Sequence, residues 1–148
     1  MGEKQTTATE RQTRGENRSD GLDEIRLDAD TTVVELQGGA ITSYTIQPSD
    51  LPISTHSPAA IAALTAQSSD ESLQLVREAL GDETSAAADI VSLNAGAAIY
   101  VAGVAETLRD GVVMAKDAIA SGLANERLEE LVATSSLMAE QNSESNDL

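Results

Sequence analysis

Ser85-Ala86-Ala87-Ala88-Asp89-Ile90-Val91-Ser92-Leu93-Asn94-Ala95-Gly96-Ala97-Ala98-Ile99-Tyr100-Val101-Ala102 decides the architecture of this chain. Ile90, Val91, Leu93, Ala97, Ala98, Ile99 and Val101 leave little polar surface on any side of a helix, and such a helix belongs in the middle of a fold. Its residues are small, so its neighbours must approach closely. Gly103 follows as a stop, and Leu108, Val112, Ala115 and Ile119 then recur at helical spacing as far as Gly122. Leu128, Leu131 and Val132 mark a last helix, and a polar, frayed tail begins at Gln141.

Upstream of the central stretch, Ser68 with Glu71 three residues later has the spacing of a capping box. The helix it opens carries Leu73, Val76 and Leu80 as a buried stripe and ends near Gly81. A shorter helix runs from Pro58 to Ala66, with the proline in its first turn. Pro48, Pro52 and Pro58 punctuate the connection before it, because proline supplies no ladder donor. Earlier still, Val33, Val34 and Leu36 precede Gln37-Gly38-Gly39, and Ile41, Tyr44 and Ile46 follow in a run rich in β-branched residues. This predicts a β-hairpin. Ala40, Thr42, Tyr44 and Ile46 share one face of its second strand and Ile41, Ser43 and Thr45 the other, so neither is purely apolar and the hairpin reads as an edge ribbon. Met1 to Ser19 has no periodic apolar residue, so it reads as a disordered leader.

Composition bounds the function. A length of 148 residues suits one domain, and a net charge of −16 with only nine lysines and arginines opposes nucleic acid and anionic membranes. No apolar run spans a bilayer or serves as a signal peptide, and no cysteine is present, so a cytoplasmic address is expected. Asn17-Arg18-Ser19 fits a glycosylation pattern but is read as chance. Asp28-Ala29-Asp30 lacks the later ligands of a calcium loop. His56, the only histidine, lies between prolines and is expected to be a surface loop residue. Asn94 is expected to be a hydrogen-bonded packing residue, and Tyr100 a core residue.

The stretch with most chemical content is Asp20-Gly21-Leu22-Asp23-Glu24, three carboxylates around a glycine. Oxygen ligands of this kind suit a hard divalent cation, and a cation holds phosphates. Adjacent acidic residues in a chain with 25 of them are more often a solvated turn.

Asp20-Gly21-Leu22-Asp23-Glu24-Ile25, Thr31-Thr32-Val33-Val34-Glu35-Leu36, Gly39-Ala40-Ile41, Tyr44-Thr45-Ile46-Gln47-Pro48 and Asp50-Leu51 together resemble the second half of bacterial anthranilate phosphoribosyltransferases. Leu93 to Gly103, then Ala118-Ile119-Ala120-Ser121-Gly122 and Leu128-Glu129-Glu130-Leu131, are similar to that family's later helices in the same order. The resemblance covers about residues 20–139. It implies an α/β family fold, truncated: a β-hairpin and four or five helices forming part of the large α/β domain over 20–140, behind a leader over 1–19 and before a tail over 141–148.

The resemblance further implies transfer of the phosphoribosyl group of phosphoribosyl pyrophosphate to the amine of anthranilate, in tryptophan synthesis. It implies Mg²⁺ held by Asp23 and Glu24; Asp20 ranks below them, as a residue that could assist through water. No catalytic residue is assigned. The family's Gly-Thr-Gly-Gly-Asp and Lys-His-Gly-Asn runs are absent from the sequence, and Arg14 to Ser19 stands where the family has an apolar strand. The isolated chain is therefore expected to be inactive alone. Three readings stay open: an enzyme half completed by a complementary N-terminal half, a non-catalytic remnant, and a small helical interaction module. For the chain by itself, low thermal cooperativity or self-association is expected.

Overall fold

A computed structural model describes residues 4–10 and 24–146. The expected hairpin is present: β2 (Thr31–Gln37) and β3 (Ala40–Ile46) pair residue for residue, from Thr31 opposite Ile46 to Gln37 opposite Ala40. Gly38 and Gly39 turn the chain with φ of 58° and 83°, a left-handed pair that two-residue hairpin loops require and that glycine adopts without a Cβ clash. Thr31 and Val33 of β2 face the core, whereas β3 is exposed until Ile46. The mixed faces of β3 foreshadow that exposure.

β1 (Lys4–Glu10) pairs antiparallel with the other edge of β2, giving a three-stranded sheet in the order β1-β2-β3. The composition predicts a disordered leader there. The difference has a physical reason: an isolated hairpin leaves a row of unpaired backbone groups on β2, and the β-branched Thr6, Thr7 and Thr9 suit an added strand. The rest of the expected leader lies outside the described residues.

Five helices follow, α1 (Pro58–Ala62), α2 (Ser69–Gly81), α3 (Ala86–Val101), α4 (Leu108–Ala120) and α5 (Leu123–Asn146). Hydroxyl caps open four of them, Ser57, Ser68, Ser85 and Thr107 each accepting from a backbone N–H three residues on. At α2 the return half of the capping box falls one residue early, since the Glu71 carboxylate accepts from the N–H of Gln67 at 2.7 Å.

The core gathers Ile25, Val33, Ile46, Leu51, Leu93 and Val112, with Leu27, Ile53, Ala97 and Leu108 packed against it. The α4 stripe is as the spacing predicts, with Val112, Ala115 and Ile119 buried. α3 is central over its N-terminal half, where Ala86 to Asp89, Ser92, Leu93 and Gly96 are buried, but Val91 and Ala98 reach solvent.

Two helices depart from expectation. On α2, Leu73 and Val76 are exposed and Ala79 is the buried residue. A methyl side chain lets α2 close on α3 where a leucine would hold it away. α5 runs on to Asn146, through the start of the expected tail, and Leu131 and Val132 are 65% and 56% exposed rather than packed. Nothing among the described residues covers them. Likewise, among the described residues no helix is long and apolar enough to cross a membrane.

Candidate functional site

A groove of about 1030 Å³ is lined by residues of the 24–30 segment, by Gln47 to Ser49, by Ile53 to His56, by residues around α1, and by Ile90 of α3. Two of these segments are tied to α3 by polar side chains from its own sequence.

The first tie is Asn94. Its Oδ1 accepts from the Ile25 N–H at 2.9 Å, and its Nδ2 donates to the Ile25 carbonyl at 3.1 Å and to the Ile90 carbonyl at 2.9 Å. Ile25 offers one donor and one acceptor, so the amide orientation follows from its partners. The expectation of a hydrogen-bonded packing residue is met. The consequence lies next door: the exposed Glu24 precedes a residue fixed at its N–H, its carbonyl and its buried side chain.

The second tie is Asp89, which is fully buried. Its Oδ2 accepts from the Ser54 N–H at 2.8 Å and lies 2.8 Å from His56 Nε2, and its Oδ1 accepts from Lys116 Nζ at 2.7 Å. Burial pushes the Asp89 carboxyl up, but the hydrogen bonds from Lys116, His56 and the Ser54 N–H outweigh it and hold the group below the usual carboxylate range. An ionised carboxylate only accepts, so His56 Nε2 carries the hydrogen. His56 is thus not the surface loop residue its flanking prolines suggest; its side chain is 10% exposed because Asp89 draws it inward. The sequence holds one clue to this cluster, the single charged residue of a largely apolar helix, which demands partners when buried.

A third cluster pins the hairpin to α3. Glu35 of β2 accepts from Tyr100 Oη at 2.5 Å and from Tyr44 Oη at 3.3 Å, so both aromatic side chains of the chain meet on one carboxylate. The hydrogen bond to Glu35, with burial and the negative charge beside it, pushes the Tyr100 phenol up to about 12. Tyr100 is a half-buried hydrogen-bond donor rather than a core residue.

Of the residues expected to hold a metal, Glu24 lines the groove, while Asp23 and Asp20 lie outside the described residues. Among the described residues no three His, Cys, Asp or Glu side chains come close enough to form a metal cluster. Asp28, paired with Arg26, and Asp30, which accepts from Gln47 Nε2 at 3.3 Å, line the same groove. The donor chemistry fits Mg²⁺, which is content with one or two carboxylates when phosphate oxygens and water complete its shell.

Comparison with known proteins follows the same lines. Residues 16–125 match the profile of the "Glycosyl transferase family, a/b domain". The chain is 50% identical over 118 residues to the anthranilate phosphoribosyltransferase of Cellvibrio japonicus, covering 77% of this chain and 34% of that protein. It is 46% identical over 127 residues to that of Ectopseudomonas mendocina, covering 83% and 36%. Among solved structures, the anthranilate phosphoribosyltransferase of Thermus thermophilus superposes with a TM-score of 0.63 at 32% identity, covering 78% of this chain and 33% of that one. The Saccharomyces cerevisiae enzyme in complex with 4-fluoroanthranilate gives a TM-score of 0.64 at 19% identity, covering 80% and 34%, a likeness of fold. The chain spans about a third of the length of the relatives it matches. The profile runs through the hairpin and the four helices α1 to α4, and on that ground the chain belongs to the glycosyl transferase family, in its a/b domain.

Proposed function

We propose that this chain supplies the cation-binding part of an anthranilate phosphoribosyltransferase, with Asp23 and Glu24 holding a Mg²⁺ against the pyrophosphate of phosphoribosyl pyrophosphate. The observation that carries the reading is the sign of the groove. Glu24, Asp28 and Asp30 line it, and the arginine among its lining residues, Arg26, is paired with Asp28. A polyanionic donor is repelled by such a surface unless a divalent cation stands between them. A Mg²⁺ held by Asp23 and Glu24 would supply positive charge to the departing pyrophosphate as the ribose C–O bond breaks, the C–N bond to the amine of anthranilate forms and the amine gives up a proton to solvent. The chain's own part is to hold carboxylates at the groove.

Transfer also needs groups that bind the ribose phosphate and anthranilate, and we assign none of the described residues to that work. The reading therefore makes the chain inactive alone and active only with a complementary half. In the test, anthranilate fluorescence is followed with donor and Mg²⁺ present. No loss is expected from the chain alone. Loss is expected once the remaining two thirds of the Cellvibrio japonicus relative is added, and Glu24→Gln should abolish it. Failure to complement would favour the second reading, a helical interaction module. The exposed Leu131, Val132, Leu137 and Met138 of α5 support that alternative.

A further inference from the structure

We infer that Asn94 is a positioning residue for the cation, anchoring from α3 the backbone that carries the Glu24 carboxylate without touching the metal; this rests on the cation reading above. An asparagine amide within a helix can satisfy part of its hydrogen-bonding capacity on the preceding turn, and Asn94 does so at the Ile90 carbonyl. Its remaining donor and its acceptor both leave the helix for a single residue, Ile25, 69 positions away in sequence. They take both backbone groups of that residue, as a neighbouring strand would. The Ile25 side chain is buried in the same cluster as Leu93, the residue before Asn94, so the restraint acts on three sides.

Glu24 is one peptide unit from this clamp and lines the groove with an exposed side chain. Where Mg²⁺ has only one or two protein ligands, there is no cage to correct a misplaced carboxylate. Such a site depends on its supporting residues to hold each ligand within about 0.5 Å of the productive position. Residues that orient a ligand, rather than bind the metal, typically govern affinity by about 10- to 100-fold. Asn94 has the geometry of such a residue.

The test uses the full chain labelled with ¹⁵N and titrated with Mn²⁺ in the presence of pyrophosphate, the ion's paramagnetism broadening only amides near its site and so distinguishing this site from the other carboxylates. Saturable broadening at Glu24 and Ile25 is expected, and Glu24→Gln should remove it. Asn94→Ala should weaken the local affinity by about 10-fold or more and speed amide exchange at Ile25. Asn94→Asp keeps the acceptor for the Ile25 N–H and loses the donor, so an intermediate affinity is expected; it carries the comparison if Asn94→Ala does not fold. Tyr100→Phe, which loosens the hairpin without touching Ile25, should leave the local affinity unchanged. Saturation of the unaltered chain with diamagnetic Mg²⁺ should also slow exchange at the Ile25 amide. Unchanged affinity in a folded Asn94→Ala, or unchanged Ile25 exchange on saturation, would overturn the inference alone. Absence of local broadening in the unaltered chain would overturn the cation reading and the inference with it.

Discussion

The carbonyl oxygen of Gly96 lies 2.3 Å from where a Cβ on Gly111 would stand. α3 and α4 cross there backbone to backbone, and a Cβ on Gly96 would in turn lie 2.6 Å from three atoms of Val112. Gly111→Ala is therefore expected to destabilise the fold by at least about 1–3 kcal/mol, the usual range for overpacking, because the clash is with backbone and not with a flexible side-chain end. Urea unfolding followed by circular dichroism measures the difference. A variant as stable as the parent would mean that the two helices are free to separate.

The buried Asp89 should carry a larger share of stability. Removing one member of a buried, hydrogen-bonded charge pair typically costs about 3–5 kcal/mol, so Asp89→Ala should lie in that range, with Lys116 left beside an uncharged residue. Its pH dependence has a definite sign. Asp89 is held below its ordinary value of 3.8, so its contribution is complete above that pH and is lost as the pH falls through the lower folded value. Stability curves of the parent and Asp89→Asn should stay apart above pH 3.8 and converge below it.

Tyrosinate absorbance gives an independent check on the hairpin tie. One of the two tyrosines should titrate at about 12, and Glu35→Gln should lower that value. The sign is opposite to that of Asp89: a raised phenol stabilises the fold fully below its unfolded value of 10.0, and the contribution is lost as the pH rises towards 12.

Ser92 offers a gain. Its Oγ is buried without a hydrogen-bond partner among the described residues, and it lies within α3. Ser92→Ala removes an unsatisfied hydroxyl and adds the best helix former, so stability should rise by about 1 kcal/mol. Thermal unfolding would show it, and a loss of stability would mean that the hydroxyl has a partner on binding water.

The hairpin, the α4 stripe and the Ser68 cap can be read from spacing alone, because local chemistry determines them: two glycines at a turn, apolar residues at helical period, a hydroxyl ahead of a helix. Asn94 is legible as a satisfied polar residue, though its partner is not, since Ile25 lies 69 residues away and no periodicity links them. His56 misleads because it lies in a loop between Pro52 and Pro58, whereas its environment is set by Asp89 of a distant helix. The α2 face misleads for a related reason. Amphipathic spacing gives a stripe but not the partner that selects it, and the small Ala79 prevails over the larger Leu73. β1 escapes a reading by hydropathy because pairing at a sheet edge uses backbone groups that leave no mark on it.

One helix anchors two of the segments that line the groove, through Asn94 to Ile25 and through Asp89 to Ser54 and His56. Their ordering entropy is lost when the chain folds rather than when a ligand arrives. Guests that enter the groove thus meet a preorganised surface, and their binding should show little of the unfavourable entropy that accompanies loop closure. The same rigidity makes α3 a common lever, since any event that shifts it by a fraction of an ångström moves both segments together.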